Sequence, residues 1–220
     1  VNTSSLTLKA DKATTVNVFG NGHTTLSWDA ATTKVTLVDA STASGSLTAG
    51  TLAGSAMTIK GGSVGDTLTT NGQQDVLIGN GGVDTFIVAA GSNLATLTGG
   101  TGPDVFMING ASTNVNNAAT ITDLGTGDTI KLAGATKFTS TALVLDNTAV
   151  FQDYANNAIK NLNQTEMVWF QFGGNTYIVE DVSNSATAFQ NGTDIIVKLT
   201  GLVDLSTASY NATSNTLEIA

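Results

Sequence analysis

Residues 61–87 decide the fold, and they read GGSVGDTLT, TNGQQDVLI and GNGGVDTFI in three successive blocks of nine. Every block carries an aspartate at its sixth position and a large apolar residue at its eighth: Asp66 and Leu68, Asp75 and Leu77, Asp84 and Phe86. A weaker block at residues 99–107 has Asp104 at the sixth position. This fixed phase indicates a repeating structural unit, although a glycine- and aspartate-rich surface of ordinary hairpins is the alternative.

The composition of each block favours a tight turn followed by a short strand. Glycine accepts the positive φ angles that a tight turn needs and lets carbonyl oxygens approach an ion. Aspartate adds a charged oxygen, and calcium takes roughly six to eight oxygens from carboxylates, carbonyls and water. Stacked blocks would align their carboxylates along one edge, where without a cation they would repel by about 1 to 4 kcal/mol per close pair. We therefore expect this section to be loose without calcium and folded with it.

The predicted calcium ligands are carboxylates and the carbonyl groups of turn glycines: Asp66, Asp75, Asp84, Asp104, Asp128, Gly62, Gly79, Gly82, Gly100 and Gly102. The block around Asp75 has Thr70, Asn71 and Gln73 where glycine would normally stand, which makes its turn the least suited to closing on an ion. For Asp128 a plain turn is the alternative. Several calcium ions are expected, without a prediction of their number.

The blocks match Gly-Gly-x-Gly-x-Asp-x-apolar-x and resemble the calcium-binding nonapeptide of RTX proteins. Residues 121–132, ITDLGTGDTIKL, are similar to the segment after the repeats in RTX proteases and surface-layer proteins, with Leu124 where phenylalanine is usual. The sequence FQFGGNTY at residues 170–177, with residues 194–199 and 203–206, is similar to the C-terminal domain of type I-secreted surface-layer proteins and serralysin-type proteases. In that family the uncleaved C-terminal region directs export.

The resemblance implies a mainly β fold, in which a parallel β-roll or β-helix with calcium-binding turns precedes a β-rich C-terminal cap that carries one α-helix. We expect strands over residues 1–34, the calcium-binding roll over residues 35–110, and a capping and type I secretion domain over residues 111–220. Strand periodicity leaves two arrangements open for the first segment. Its strands are either hairpins, with Asn21-Gly22 as a turn, or the first rungs of the roll.

The cap has clearer local signals. Apolar residues three and four apart, among them Val150 and Leu162, predict a helix over residues 148–163 with Thr148 as its N-cap. Residues 167–181 predict a hairpin, which residues 192–199 and 217–220 would complete.

Two isolated residues in the first part of the chain carry weaker predictions. Asp39, in an Asp-Ala-Ser turn similar to one in bacterial surface-layer repeats, is expected to cap a turn through its own backbone, with a calcium ligand as the alternative. His23, the single histidine, follows Asn21-Gly22 and is expected to be a solvated turn residue.

Composition narrows the classes of function. The net charge is −9 and all eight basic residues are lysines, which argues against a nucleic-acid partner. Charged residues make up 11% of the chain, against about 25% in typical domains. There is no cysteine, so an exported chain would have no disulfide bonds and would need another source of stability, such as a bound metal. No apolar run is long enough to span a membrane. Because no leader or initiator methionine is visible, we expect a C-terminal fragment of a longer protein.

These observations favour a structural, calcium-dependent surface-layer protein at the bacterial cell surface, which self-assembles into a lattice and carries an uncleaved C-terminal secretion signal. Its expected partners are further copies of itself and the type I secretion machinery, with cell-surface polysaccharide held by upstream residues. We expect no enzyme, since the sequence has no His-Glu-x-x-His motif and a single histidine cannot build one. The alternative is the calcium-binding secretion module of an exported protease or lipase, or of a large adhesin.

Overall fold

The computed structural model describes residues 2–32, 34–72, 74–110, 112–160, 165–185 and 187–220 of the chain. Nearly all regular structure is β, and the chain winds into a parallel solenoid of about six turns. Antiparallel strands and one short helix follow at the C-terminal end. The predicted fold class, a parallel β-roll with a β-rich cap that carries one helix, is therefore confirmed.

Each turn of the solenoid gives one strand to each of two sheets. The first sheet contains, in spatial order, β1 (Thr3–Leu8), β3 (His23–Trp28), β5 (Leu47–Gly50), β7 (Thr67–Thr70), β9 (Thr85–Val88), β11 (Val105–Ile108), β13 (Thr129–Leu132), β19 (Thr216–Glu218) and β18 (Ser209–Asn211). The second sheet contains β14 (Lys137–Phe138), β15 (Glu166–Phe172), β16 (Asn175–Glu180), β17 (Ile195–Leu199), β12 (Ala119–Ile121), β10 (Thr96–Thr101), β8 (Val76–Gly81), β6 (Thr58–Lys60), β4 (Leu37–Asp39) and β2 (Thr15–Asn17).

The nine-residue block is half a turn of the solenoid, because successive blocks place their strands in opposite sheets. Along the first sheet the eighth-position residues lie in register, from Leu68 to Phe86, Phe106 and Ile130. All four are fully buried, and the two phenylalanine rings stack with centroids 5.0 Å apart. Burying one such side chain contributes roughly 1.5 to 3 kcal/mol. The apolar ladder, which strand alternation turns inward, is therefore the main support of the solenoid.

The first part of the chain forms rungs and not hairpins. Strand β1 pairs with β3 in parallel, and β3 pairs in parallel with β5, so of the two arrangements left open for the first segment the structure has the rungs. Asn21-Gly22 joins strands of different sheets, because β2 lies in the second sheet and β3 in the first. His23 begins β3 instead of lying in a turn, and its ring nitrogens contact the hydroxyls of Ser46 and Thr25.

The cap closes the two sheets in different ways. Strands β15 and β16 form the predicted antiparallel hairpin, and β17 joins it while pairing in parallel with β12 of the solenoid. The prediction that residues 217–220 complete this hairpin is wrong, because β19 belongs to the first sheet, where it pairs with β13 on one side and with β18 on the other. Antiparallel pairs thus follow the parallel strands of the roll in both sheets, while β14, the outermost strand of the second sheet, pairs with β15 in parallel.

The helix α1 (Phe151–Lys160) begins three residues later than predicted, and the last predicted residues, 161–163, lie outside the described residues. Its start is capped by Asp153, whose Oδ2 accepts the backbone N–H of Val150 at 3.0 Å. The predicted N-cap Thr148 is therefore wrong, and its hydroxyl donates to Asp146. Val150 is 58% exposed and lies outside the apolar stripe, while Leu162 falls outside the described residues.

The helix packs on the cap and gives it a separate core. The aromatic ring of Phe151 contacts three rings of β15 and β16, namely Phe170, Phe172 and Tyr177, with centroid distances of 5.9, 5.5 and 4.7 Å. Among the described residues, no helix combines the length and apolar character needed to cross a bilayer.

Candidate metal centre

Four aspartates stand directly before consecutive strands of the first sheet. Asp66 precedes β7, Asp84 precedes β9, Asp104 precedes β11 and Asp128 precedes β13. We call these four residues the aspartate ladder. All four are buried, with at most 5% of any side chain exposed. The solenoid thus brings together four of the five predicted aspartate ligands along one edge.

Each carboxylate of the ladder bonds to the turn before it. Its Oδ1 accepts the backbone N–H of the residue at the same position one turn earlier. Asp84 accepts from the N–H of Asp66 at 2.7 Å, Asp104 from that of Asp84 at 2.8 Å, and Asp128 from that of Asp104 at 2.8 Å. Asp66 accepts at 2.6 Å from the N–H of Leu47, which occupies the same position in a turn that has no aspartate there. The ladder therefore ties turns together through side chain to backbone bonds.

The second carboxylate oxygens differ along the ladder. The Oδ2 of Asp66 accepts the N–H of Gly62 at 2.7 Å, and that of Asp128 accepts the N–H of Gly125 at 2.8 Å. The Oδ2 of Asp84 is buried and has no hydrogen-bond partner among the described residues. A buried, unpaired carboxylate oxygen costs about 1 to 3 kcal/mol or more. Asp84 is therefore the position of the ladder that most needs a further partner.

Two glycines are required by the close approach of these carboxylates. A Cβ at Gly61 would lie 2.1 Å from the Oδ2 of Asp66 and 2.7 Å from the carbonyl oxygen of Gly79. A Cβ at Gly79 would lie 2.1 Å from the Oδ2 of Asp84 and 2.6 Å from the carbonyl oxygen of Gly99. The first glycine of a block thus makes room for the aspartate of its own block and a carbonyl of the next turn.

Burial makes the ladder expensive to ionise. It raises the pKa of Asp84 to about 7, and the carboxylates of Asp66 and Asp104 add to this rise. It also raises the pKa of Asp104 to about 6, with Asp128 and Asp123 as neighbouring negative charges. Burial raises the pKa of Asp66 and Asp128 as well. At neutral pH the ladder would be stabilised by a positive charge held close to its oxygens.

Asp75 lies on the other edge of the solenoid, so the expectation of a single line of carboxylates is corrected. It precedes β8 in the second sheet, where the same position in neighbouring turns holds Met57 and Ala95. Its Oδ1 accepts the N–H of Met57 at 2.9 Å. Its Oδ2 accepts the hydroxyl of Thr51 at 2.6 Å and the N–H of Gly72 at 2.9 Å. Hydrogen bonds alone therefore satisfy both oxygens of this carboxylate.

The other predicted glycines lie along the ladder edge, where Gly100 is near the end of β10 and Gly62, Gly82 and Gly102 lie outside the strands. The N–H of Gly100 donates to Asp123 Oδ2 at 2.9 Å, so Asp123, which was not predicted as a ligand, holds the end of β10. Gly82 and Gly102 take positive φ angles of 110° and 128° and stack on one another. Their role in the structure is a close approach of successive backbones, which only glycine permits.

Asp39 behaves as the predicted turn cap. Its Oδ1 accepts the N–H of Ser41 at 3.0 Å, and its Oδ2 lies 3.2 Å from the Nζ of Lys60. The hydrogen bond from the Ser41 hydroxyl is the main reason that the pKa of Asp39 is lowered.

The donor atoms of the ladder edge suit a hard divalent cation. Carboxylate and carbonyl oxygens converge beside Gly61 and Gly79, and the Oδ2 of Asp84 has no other partner. In the part of the chain that the structure describes, no three acidic or histidine side chains lie close enough to share an ion. A calcium ion here would therefore take carbonyl oxygens and water in addition to one or two carboxylates.

Sequence reasoning missed a group of buried acidic residues in the cap: Glu166, Glu180, Asp181 and Asp194. Asp194 accepts the N–H groups of Val182 and Ser183 at 3.0 and 2.8 Å, and that of Gln190 at 2.7 Å. Its spacing could have revealed it, because Asp194 stands directly before β17, as the ladder aspartates stand before their strands.

Comparison with known proteins gives no matching family model and no matching curated protein.

Proposed function

We propose that the chain is a structural, calcium-stabilised part of a bacterial surface-layer protein that self-assembles outside the cell. The single observation that carries the calcium part is the Oδ2 of Asp84, buried and unpaired between two further carboxylates. A divalent cation beside it would supply the missing partner and offset the repulsion within the ladder.

The role of the cation would be to stabilise the stacking of turns. Each ladder carboxylate already joins two turns through its Oδ1, and an ion held by its Oδ2 and by carbonyls of the next turn would join them again. Binding of calcium to the folded chain alone, at about 100 times its dissociation constant, adds roughly 2.7 kcal/mol per site. We expect cooperative folding of the solenoid to depend on this contribution.

The surface-layer assignment draws on the resemblance of the repeats and of the C-terminal segment, together with an acidic, cysteine-free chain. The cap, which adds antiparallel pairs to both sheets, is the part that we assign to type I export. We propose no catalytic role, and His23 is engaged by the hydroxyls of Ser46 and Thr25.

Calorimetric unfolding and light scattering, each in calcium, in magnesium and in chelator, test the two parts of the proposal separately. Calcium should raise the unfolding temperature well above that in magnesium, which controls for ionic strength. It should also increase particle size if the chain forms a lattice. An unfolding temperature indifferent to calcium would contradict the metal site. Stabilisation without any growth in particle size would instead favour the secretion module of an enzyme or adhesin.

A further inference from the structure

The edge opposite to the aspartate ladder holds an open cleft of about 480 Å³. Three successive turns of the solenoid line it, each just after a strand of the first sheet. The lining includes Trp28 at the end of β3 and Asp29 after it, Thr51, Leu52 and Ser55 after β5, and Asn71 after β7.

Buried hydrogen bonds fix the walls of this cleft. Asp75, which is fully buried, accepts the hydroxyl of Thr51 at 2.6 Å and the N–H of Gly72 at 2.9 Å. The hydroxyl of Thr51 also accepts the N–H of Asn71 at 2.6 Å. The indole N–H of Trp28 donates to the carbonyl oxygen of Gly50 at 2.6 Å, which fixes the edge of the ring. The isolated carboxylate of Asp75 thus orders two of the three turns that build the cleft.

Several polar groups of the cleft have no partner within the described residues. The Oδ1 of Asp29 accepts the N–H of Ala31 at 2.9 Å, and no hydrogen bond engages its Oδ2. The side chains of Ser55 and Asn71 make no hydrogen bond to the part of the chain that the structure describes. Together they offer a carboxylate oxygen, a hydroxyl and an amide around a partly buried indole.

We propose that this cleft binds a neutral oligosaccharide. One face of a sugar ring is apolar and stacks on an indole, while its hydroxyl groups exchange hydrogen bonds with carboxylate, hydroxyl and amide groups in the ring plane. Among the described residues, no basic side chain lines the cleft, and the carboxylate of Asp29 within an acidic chain disfavours an anionic ligand. Trp28 is assigned the stacking role, and Asp29, Ser55 and Asn71 are assigned the hydroxyl contacts.

The test is isothermal titration of the calcium-loaded chain with maltohexaose, cellohexaose, chitohexaose and mannohexaose at millimolar concentration. We expect one of these neutral glycans to bind and to change the emission of Trp28. The second indole, Trp169, is buried, and its N–H donates to the carbonyl oxygen of Ser140, so Trp169→Phe is the matched control and must leave binding unchanged.

Two substitutions localise the binding. Asn71→Ala should weaken it about fivefold, the loss expected for one hydrogen bond. Trp28→Ala should weaken it at least about tenfold through loss of the stacked ring. Thermal unfolding distinguishes this loss from misfolding, since Asn71→Ala removes no hydrogen bond made by the side chain. Failure of all four glycans to bind, or equal binding by wild type and both variants, would overturn the assignment.

Discussion

The two edges of the solenoid use the same nine-residue block in opposite ways. On one edge every turn from β7 to β13 supplies an aspartate, so each carboxylate has like charges beside it and Asp84 keeps an unpaired oxygen. On the other edge Asp75 is alone, and hydrogen bonds satisfy both of its oxygens. An aspartate at the sixth position is therefore not by itself a sign of a cation. What matters is the residue one turn away, about eighteen positions along the chain, and not the residue in the next block.

The largest expected effect comes from filling the space beside a ladder carboxylate. Gly79→Ala would place a Cβ 2.1 Å from the Oδ2 of Asp84, and we expect it to lower the free energy of unfolding by about 3 kcal/mol. Gly50→Ala is the matched control, because its Cβ would meet no atom closer than 3.6 Å. Chemical denaturation of both variants measures the difference. Equal stability of the two would show that the carboxylate of Asp84 does not lie against Gly79.

Removing one charge from each edge sharpens the comparison. In calcium, Asp84→Asn should lower the free energy of unfolding by about 2.7 kcal/mol and remove at least one calcium site. In chelator at neutral pH the same substitution should change the free energy of unfolding little, because it removes a buried charge. Asp75→Asn should lower the free energy of unfolding by about 2 kcal/mol in both conditions, since the new amide NH2 would face hydrogen-bond donors such as the Thr51 hydroxyl. Calorimetric titration and unfolding measure both quantities. If the two variants respond alike to calcium, the distinction between the edges is wrong.

The repeat period was sufficient to predict the solenoid and its inward residues. A large apolar residue two positions after each aspartate can only face the core, because side chains alternate along a strand. The period alone does not show whether the aspartates lie along one edge of the solenoid or along two. That depends on whether a block is a whole turn or half a turn, and only the strand pairing, such as Leu68 with Phe86, decides it. The period alone therefore groups Asp75 with residues that lie on the far side of the molecule.

The errors in the cap have a similar origin. The sequence predicts that residues 217–220 join the nearest hairpin, but β19 pairs with β13, roughly ninety residues earlier, and no local signal specifies such a partner. The sequence predicts a helix start at Thr148 because threonine is a good N-cap, whereas the structure uses the carboxylate of Asp153. The cleft at Trp28 was not predicted, since its walls come from three turns that are distant in sequence.

In chelator, a change of one pH unit should alter the free energy of unfolding by at most about 1.4 kcal/mol for each carboxylate of the aspartate ladder. The folded pKa is raised to about 7 for Asp84 and about 6 for Asp104, from ordinary values of 3.8. The folded chain therefore holds more protons than the unfolded chain in this window, and its stability falls as pH rises from 3.8 to 7. Calcium should weaken or reverse this trend, because it favours the ionised carboxylates. Unfolding curves across this range, with and without calcium, measure both slopes.

The smallest expected effect lies outside both edges and tests whether calcium dependence is confined to the ladder. Glu180 in the cap is fully buried, its Oε1 accepts the N–H of Gly134 at 3.1 Å, and its Oε2 has no partner among the described residues. Burial raises the pKa of Glu180 to about 7, and the carboxylates of Asp194 and Asp181 add to the rise. The fold thus favours the protonated acid. The contribution of Glu180 to stability is therefore fully present below pH 4.5 and is lost as the pH rises to 7.

Glu180→Gln keeps the shape of the side chain and removes the charge that the fold disfavours. We expect the free energy of unfolding to increase by about 1 kcal/mol near pH 8 and hardly at all near pH 5, where the wild-type acid is protonated. Glu218→Gln in β19 controls for the change in net charge. The gain should be the same in calcium and in chelator, because Glu180 faces Gly134 and the acids of the cap and not the ladder. A gain that appears only in chelator would instead place a calcium ion in the cap and end the restriction of metal to the ladder edge.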